Sequence, residues 1–227
     1  MDLTASYVDH FPDDLRARYD FVEVRNAAAV LQVTNPAAMA DVSSVLERFA
    51  LQPDDLLVAG GNESALAARL NQHFRELGWR EGQVDTEITL LLRLLPYRPA
   101  GEVEARVVET TTKNPGYLVD NVRDRVALDV EWNAKDGNLD RDLGAYRALY
   151  DAGLIDGAIM ITRTQDDLRT LGRTLALAAG WTAEAARRIL NTTTTTNVEK
   201  LRPRLTRGAA GGCPVLGVLI CSRTLAD

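Results

Sequence analysis

VDNVRDRVALDVEWNAKDGNLDRDLGAYRALYDAGLIDGAIMITR, residues 119–163, is the stretch whose reading decides the fold. Its opening reads as two strands, 117–120 and 125–131, joined by a turn around 121–124 that lets them pair as a hairpin. After Gly137 the spacing lengthens: Leu139, Leu143, Tyr146, Leu149 and Tyr150 share one face of a helix. A near-continuous apolar run then fills 155–162, the pattern of a strand covered on both faces. Strand, helix, strand in that order, with helices before and after, predicts an α/β fold of three layers, α/β/α, around a mixed sheet.

Working outward, Thr86, Ile88 and Leu90 alternate with their neighbours, and Val103, Ala105 and Val107 repeat the pattern beyond the break at 96–101, predicting antiparallel strands. The first third reads as mainly helical. One helix starts at Pro36 and carries Met39, Val42, Val45, Leu46 and Phe49 at helical spacing. A second starts after Asn62, with Glu63 in its first turn, and runs through Leu66, Leu70, Phe74 and Leu77 to a stop at Gly78. On the other side come helices at 165–179 and 182–190. A polar threonine run follows at 191–197, then a basic loop at 198–207 and a closing strand at 215–221. The chain reads as one domain, 1–227, with a catalytic core of about 84–222 and a helical N-terminal part.

Composition narrows the class. With 227 residues, 46% of them hydrophobic, the chain can bury a substantial core. No run approaches the 18 or so apolar residues of a membrane helix and the first residues lack a signal-peptide layout, so the expectation is a cytoplasmic protein with no membrane partner. Cys213 and Cys221 read as buried free thiols. Only His10 and His73 are histidines, which disfavours histidine triads and histidine metal sites. The net charge of −6 gives nucleic-acid binding no support by itself, but leaves open how the charges are distributed.

The acidic residues carry the chemistry. Asp129 and Glu131, two apart on a strand, point to one face while Leu128 and Val130 point to the other, and the hairpin brings Asp120 beside them. Like charges held together call for a neutralising cation, and oxygen ligands without histidine or thiol indicate Mg²⁺. An amphipathic strand with a solvated acidic face has the same spacing, so the pattern alone leaves both readings open.

The combination D-x8-D-V-E, W-N-x-K-D-G, D-R-D-L and an apolar strand ending in I-T-R resembles the BglII and BstYI type II restriction endonucleases, with BamHI more distant. The resemblance implies a PD-(D/E)xK nuclease core in which Asp120, Asp129 and Glu131 are catalytic and Asp120 and Asp129 hold Mg²⁺. Two departures stand out: no proline precedes Asp120, and Glu131 takes the place of the usual lysine, as in BamHI-like enzymes. Phe74-Arg75-Glu76 resembles a further element that would add Glu76 to the site.

The resemblance also implies double-stranded DNA as partner and a homodimer, since cutting both strands of a palindrome calls for two sites about a two-fold axis. Asn133 and Lys135 follow the catalytic strand, where such enzymes read the major groove. Lys200, Arg202, Arg204 and Arg207 suit phosphate contacts, with Asn191 adding hydrogen bonds. The expected function is site-specific hydrolysis of DNA phosphodiesters by Mg²⁺-activated water. A repair or structure-specific nuclease, or a non-catalytic DNA-binding protein on the same fold, is the alternative.

Overall fold

The computed structural model describes residues 1–58 and 64–226. They fall into two compact units, Met1–Glu81 with Val119–Asp227, and Gly82–Leu118.

In the larger unit a mixed sheet sits between two helical layers. Its strands are β1 (Leu3–Thr4), β2 (Asp20–Val24), β5 (Val126–Val130), β6 (Gly157–Arg163) and β7 (Val215–Ile220), with the end of β4 (Arg106–Arg123). The order is β1-β2-β7-β6-β5-β4, parallel for β7-β6-β5 and antiparallel elsewhere. The parallel strands are buried along their whole length, which is why β6 reads as an unbroken apolar run.

One sheet face, with Val126, Leu128, Val130, Ile159, Ile161, Leu216 and Val218, packs on helices before and after the site. These include α2 (Asp13–Arg18), α3 (Ala27–Thr34), α4 (Pro36–Arg48) and α6 (Ala65–Glu76) ahead of it, and α8 (Asp166–Ala178) behind. Short helices α1 (Tyr7–His10) and α5 (Pro53–Leu57) link the first group. Pro36 at the first turn of α4 and Ser64, which accepts a hydrogen bond from the Ala67 N–H, fix where two of these helices begin. The expected starting residues Asn62 and Glu63 of the second lie outside the described residues.

The opposite face is covered by α7 (Gly137–Asp151) and α10 (Val198–Thr206). Gly217 makes room there: a Cβ on it would come within 2.7 Å of Val22 Cγ1 and 3.2 Å of Leu201 Cδ2. Three layers, α/β/α, are therefore observed.

Three sequence expectations change. The N-terminal third contributes β2 to the sheet, beside β7, because Val22 and Val24 are buried there. The helix expected over 182–190 is a single turn, α9 (Ala183–Ala186). The stretch 198–207 is not a loop: Val198, Leu201 and Leu205 form a buried stripe of α10, capped by Asn197. Cys213 and Cys221 are free and buried, and no helix among the described residues is long and apolar enough to cross a membrane.

The smaller unit is a hairpin of β3 (Arg80–Leu94) and β4, closed through a 3-10 turn at Arg98–Ala100. Its second strand begins at Arg106, so Val103 and Ala105 precede it. Glu87 pairs with Lys113 at 3.0 Å and Thr89 with Thr111 at 3.0 Å, which sets the polar side chains on one face. Ile88, Leu90, Leu92 and Leu94 alternate onto the other and are 42–61% exposed.

Candidate active site

The site grows from the β4–β5 hairpin. A tight turn at Asp124 and Arg125, with Asp124 left-handed at φ 51°, sets Asn121 opposite Leu128 and Arg123 opposite Val126. One step further along the ladder Asp120 meets Asp129. The Asp120 N–H donates to Asp129 Oδ1 at 2.8 Å and the Val130 N–H donates to Asp120 Oδ2 at 3.1 Å. Each carboxylate is thus fixed by a backbone donor of the facing strand.

Glu131 follows on the same face as Asp129. Its N–H donates to the Ile161 carbonyl at 2.8 Å, and its own carbonyl accepts from the hydroxyls of Thr162 and Thr196 at 2.9 and 3.0 Å. The backbone leaving β5 is therefore pinned from two sides.

The acidic face is enclosed, not solvated. Asp129 and Glu131 are 5% and 6% exposed. Burial, opposed by the Asp120 N–H and reinforced by the Asp120 charge, pushes the Asp129 carboxyl up to about 7. Burial, with Asp142 and Asp129 adding to it, also pushes Glu131 well above the usual carboxylate range.

Two residues of α7 that sequence reasoning missed complete this environment. Tyr146 is fully buried, and its hydroxyl donates to Asp129 Oδ2 at 2.6 Å. Asp142, one turn earlier, is 3% exposed and lies against Glu131. Their signal was present in the spacing, since 142 and 146 fall on the same apolar stripe as Leu139, Leu143 and Leu149.

Arg141 is the cation at this cluster, 2.8 Å from Asp142 Oδ1 and 3.9 Å from Glu131 Oε1. It leaves Glu131 Oε2 and Asp142 Oδ2 buried without a hydrogen-bond partner. An oxygen-only donor set with excess negative charge suits a hard divalent ion, which takes one or two carboxylates and keeps much of its water. Among the described residues no three histidine, cysteine or acidic side chains already stand in the arrangement of a closed metal site.

The remaining expected residues are spread more widely. Glu76 is exposed at the end of α6 and meets its helix neighbours, accepting from Gln72 Nε2 at 3.2 Å and lying 3.7 Å from His73 Nδ1. Asn71, on the same helix, faces the hairpin, its Oδ1 accepting from Asn121 Nδ2 at 2.7 Å.

Asn133 is left-handed, φ 55°, and its Oδ1 accepts from Arg163 Nε at 2.8 Å. Arg163 is fully buried and also donates to Gln165 and, at 3.1 Å, to Thr195; burial, with Arg169 nearby, lowers it to about 10. The threonine run is thereby stitched to the end of β5. Thr195 bridges Lys135, and the Thr196 N–H donates to the Ala134 carbonyl at 2.8 Å.

Lys200 and Arg204 face inward rather than standing free. Lys200 Nζ is 3.3 Å from Asp136 Oδ2, and Arg204 grips Asp140 with two bonds of 2.8 Å. They tie α10 to the start of α7. Arg202, Arg207, Lys135 and Asn191 are exposed.

The sequence model of the restriction endonuclease BglII/BglIII family matches residues 19–220, from the end of α2 to the end of β7. The chain belongs to that family. No curated protein matches it. As a restriction endonuclease the chain is a DNA-binding nuclease, and the matched span contains all of the sheet except β1 together with the acidic hairpin.

Proposed function

We propose that this endonuclease is a type II restriction enzyme that hydrolyses double-stranded DNA at a short palindromic sequence, acting as a homodimer with Mg²⁺. The observation that carries the reading is the reciprocal pair Asp120 and Asp129, with Glu131 on the same buried face.

Asp120 and Asp129 would hold the cation. When bound, it supplies charge for the phosphate and lowers the pKa of a coordinated water. The protein's own part follows from its hydrogen bonds. Backbone donors keep both aspartates facing one point, and the Tyr146 hydroxyl fixes the rotamer of Asp129. Glu131, whose burial makes it a stronger proton acceptor than an ordinary carboxylate, stands where the superfamily's lysine usually does. Its role is to orient the attacking water and accept its proton.

Arg202, Arg207, Lys135 and Asn191 are the exposed candidates for meeting the duplex, and Asn133, whose Oδ1 accepts from Arg163, is the candidate for reading the groove. Lys200 and Arg204 contribute by shaping the helix that carries them. Two copies related by a two-fold axis would present one site to each strand.

Purified protein with Mg²⁺ should cut plasmid DNA into discrete bands, and Asp120→Ala should abolish cutting while retaining DNA binding. Smeared or nick-only products would point to a repair nuclease. Tight binding with no cleavage in Mg²⁺ or Mn²⁺ would replace the catalytic reading with a DNA-binding one.

A further inference from the structure

Asp142 is almost fully withdrawn from water, 3% exposed in the middle of α7. A carboxylate is normally kept there only if something compensates it. Arg141 compensates half of it. The guanidinium binds Asp142 Oδ1 at 2.8 Å and reaches toward Glu131 Oε1 at 3.9 Å, so it occupies the outer oxygens of the two acids. The inner oxygens, Asp142 Oδ2 and Glu131 Oε2, are both buried and both lack a partner. Glu131 and Asp142 lie within hydrogen-bonding reach of one another, and two ionised acceptors so placed need either a shared proton or a cation between them, so a cation that binds there takes the place of the proton.

Arg141 is a poor candidate for that cation, because its one charge is already shared among three acids, Asp142, Glu131 and Asp129. Its side chain is also 60% exposed, so water screens it. A small hydrated divalent cation suits the position better, since it takes one or two carboxylates and completes its shell with water or phosphate oxygens.

We infer that Asp142 is a cation ligand, forming with Glu131 a binding position beside the Asp120–Asp129 pair. The inference rests on the metal-dependent reading of the site. On this arrangement α7 delivers two groups one turn apart, Tyr146 to Asp129 and Asp142 to Glu131, and so couples the helix to both halves of the acidic strand.

The test is Mn²⁺ binding to the intact protein, followed by calorimetry and by the electron-spin signal of free Mn²⁺, without DNA. Asp142→Asn should weaken binding at least tenfold, or remove one bound ion per chain. Arg141→Ala should leave binding within about threefold of the parent, because it removes the brace and not the ligand. Asp151→Asn, which removes a surface carboxylate of the same helix, serves as the charge control. Far-ultraviolet circular dichroism and the melting profile without metal establish that each variant is folded. If Asp142→Asn does not fold, Asp142→Ser is measured in its place against the same expectation. Unchanged Mn²⁺ binding in a folded Asp142 variant, with binding lost in Asp129→Asn, overturns the inference and leaves the nuclease reading standing. Equal losses in Asp142→Asn and Arg141→Ala also overturn it, since both would then act by bracing. Absence of Mn²⁺ binding to the parent protein overturns the inference and the metal-dependent reading together.

Discussion

β5 is five residues long and buried throughout, and the chain runs straight on from it into Glu131, placing two carboxylates in the interior. β3 is fifteen residues long, and its leucines lie open to water. Of nineteen exposed large hydrophobic side chains among the described residues, eleven belong to the hairpin unit. Both strands alternate with period two, so periodicity does not separate them. What separates them is cover. β5 has β6 in parallel on one edge, helices on one face and Tyr146 of α7 on the other. Without such cover, leucine stays wet; with it, even aspartate is taken from water. The acids of β5 therefore sit where desolvation strengthens every interaction they make.

Asp129→Ala should have the largest effect, slowing cleavage more than about a thousandfold, roughly 4 kcal/mol of barrier. A timed digest beside a DNA-binding measurement reads it, and comparable cleavage would show that the buried acids are structural. Leu128→Ala, on the opposite face of β5, should cost about 2–5 kcal/mol in urea unfolding because it opens a cavity under α4 and α6.

Arg163→Lys should cost about 1–3 kcal/mol, since an ammonium cannot span Asn133, Gln165 and Thr195 as the guanidinium does. It should also loosen the 191–197 segment, seen as faster amide exchange there. Saturating Mg²⁺ should raise stability by up to about 2.7 kcal/mol at a hundred times its dissociation constant, and Asp129→Asn should remove that gain. Smallest of all, Leu90→Ala in the hairpin should change stability by less than about 0.5 kcal/mol, because Leu90 is 61% exposed. A cost like that of Leu128→Ala would mean that the hairpin's apolar face is covered in solution.

Much of the site was legible in the sequence because it is local. Asp129 follows Asp120 by nine positions, and a hairpin is enough to join them. Asp142 was not legible as a site residue, because an acid on a helix reads as solvated unless its place on the apolar stripe is weighed against its charge. α10 was hidden for the opposite reason: Lys200, Arg202, Arg204 and Pro203 masked the stripe of Val198, Leu201 and Leu205. β2 was missed because five residues give too little periodicity to stand out among helices, and its place depends on a partner at the far end of the chain.

That separation has a kinetic side. The turn at Asp124 and Arg125 lets Asp120 and Asp129 meet by local closure, an event of microseconds. Asp20 reaches Leu219 only after a loop of about 200 residues has closed. Pairing of the acids therefore needs no closure of the long β2–β7 loop, whose entropic cost is the larger.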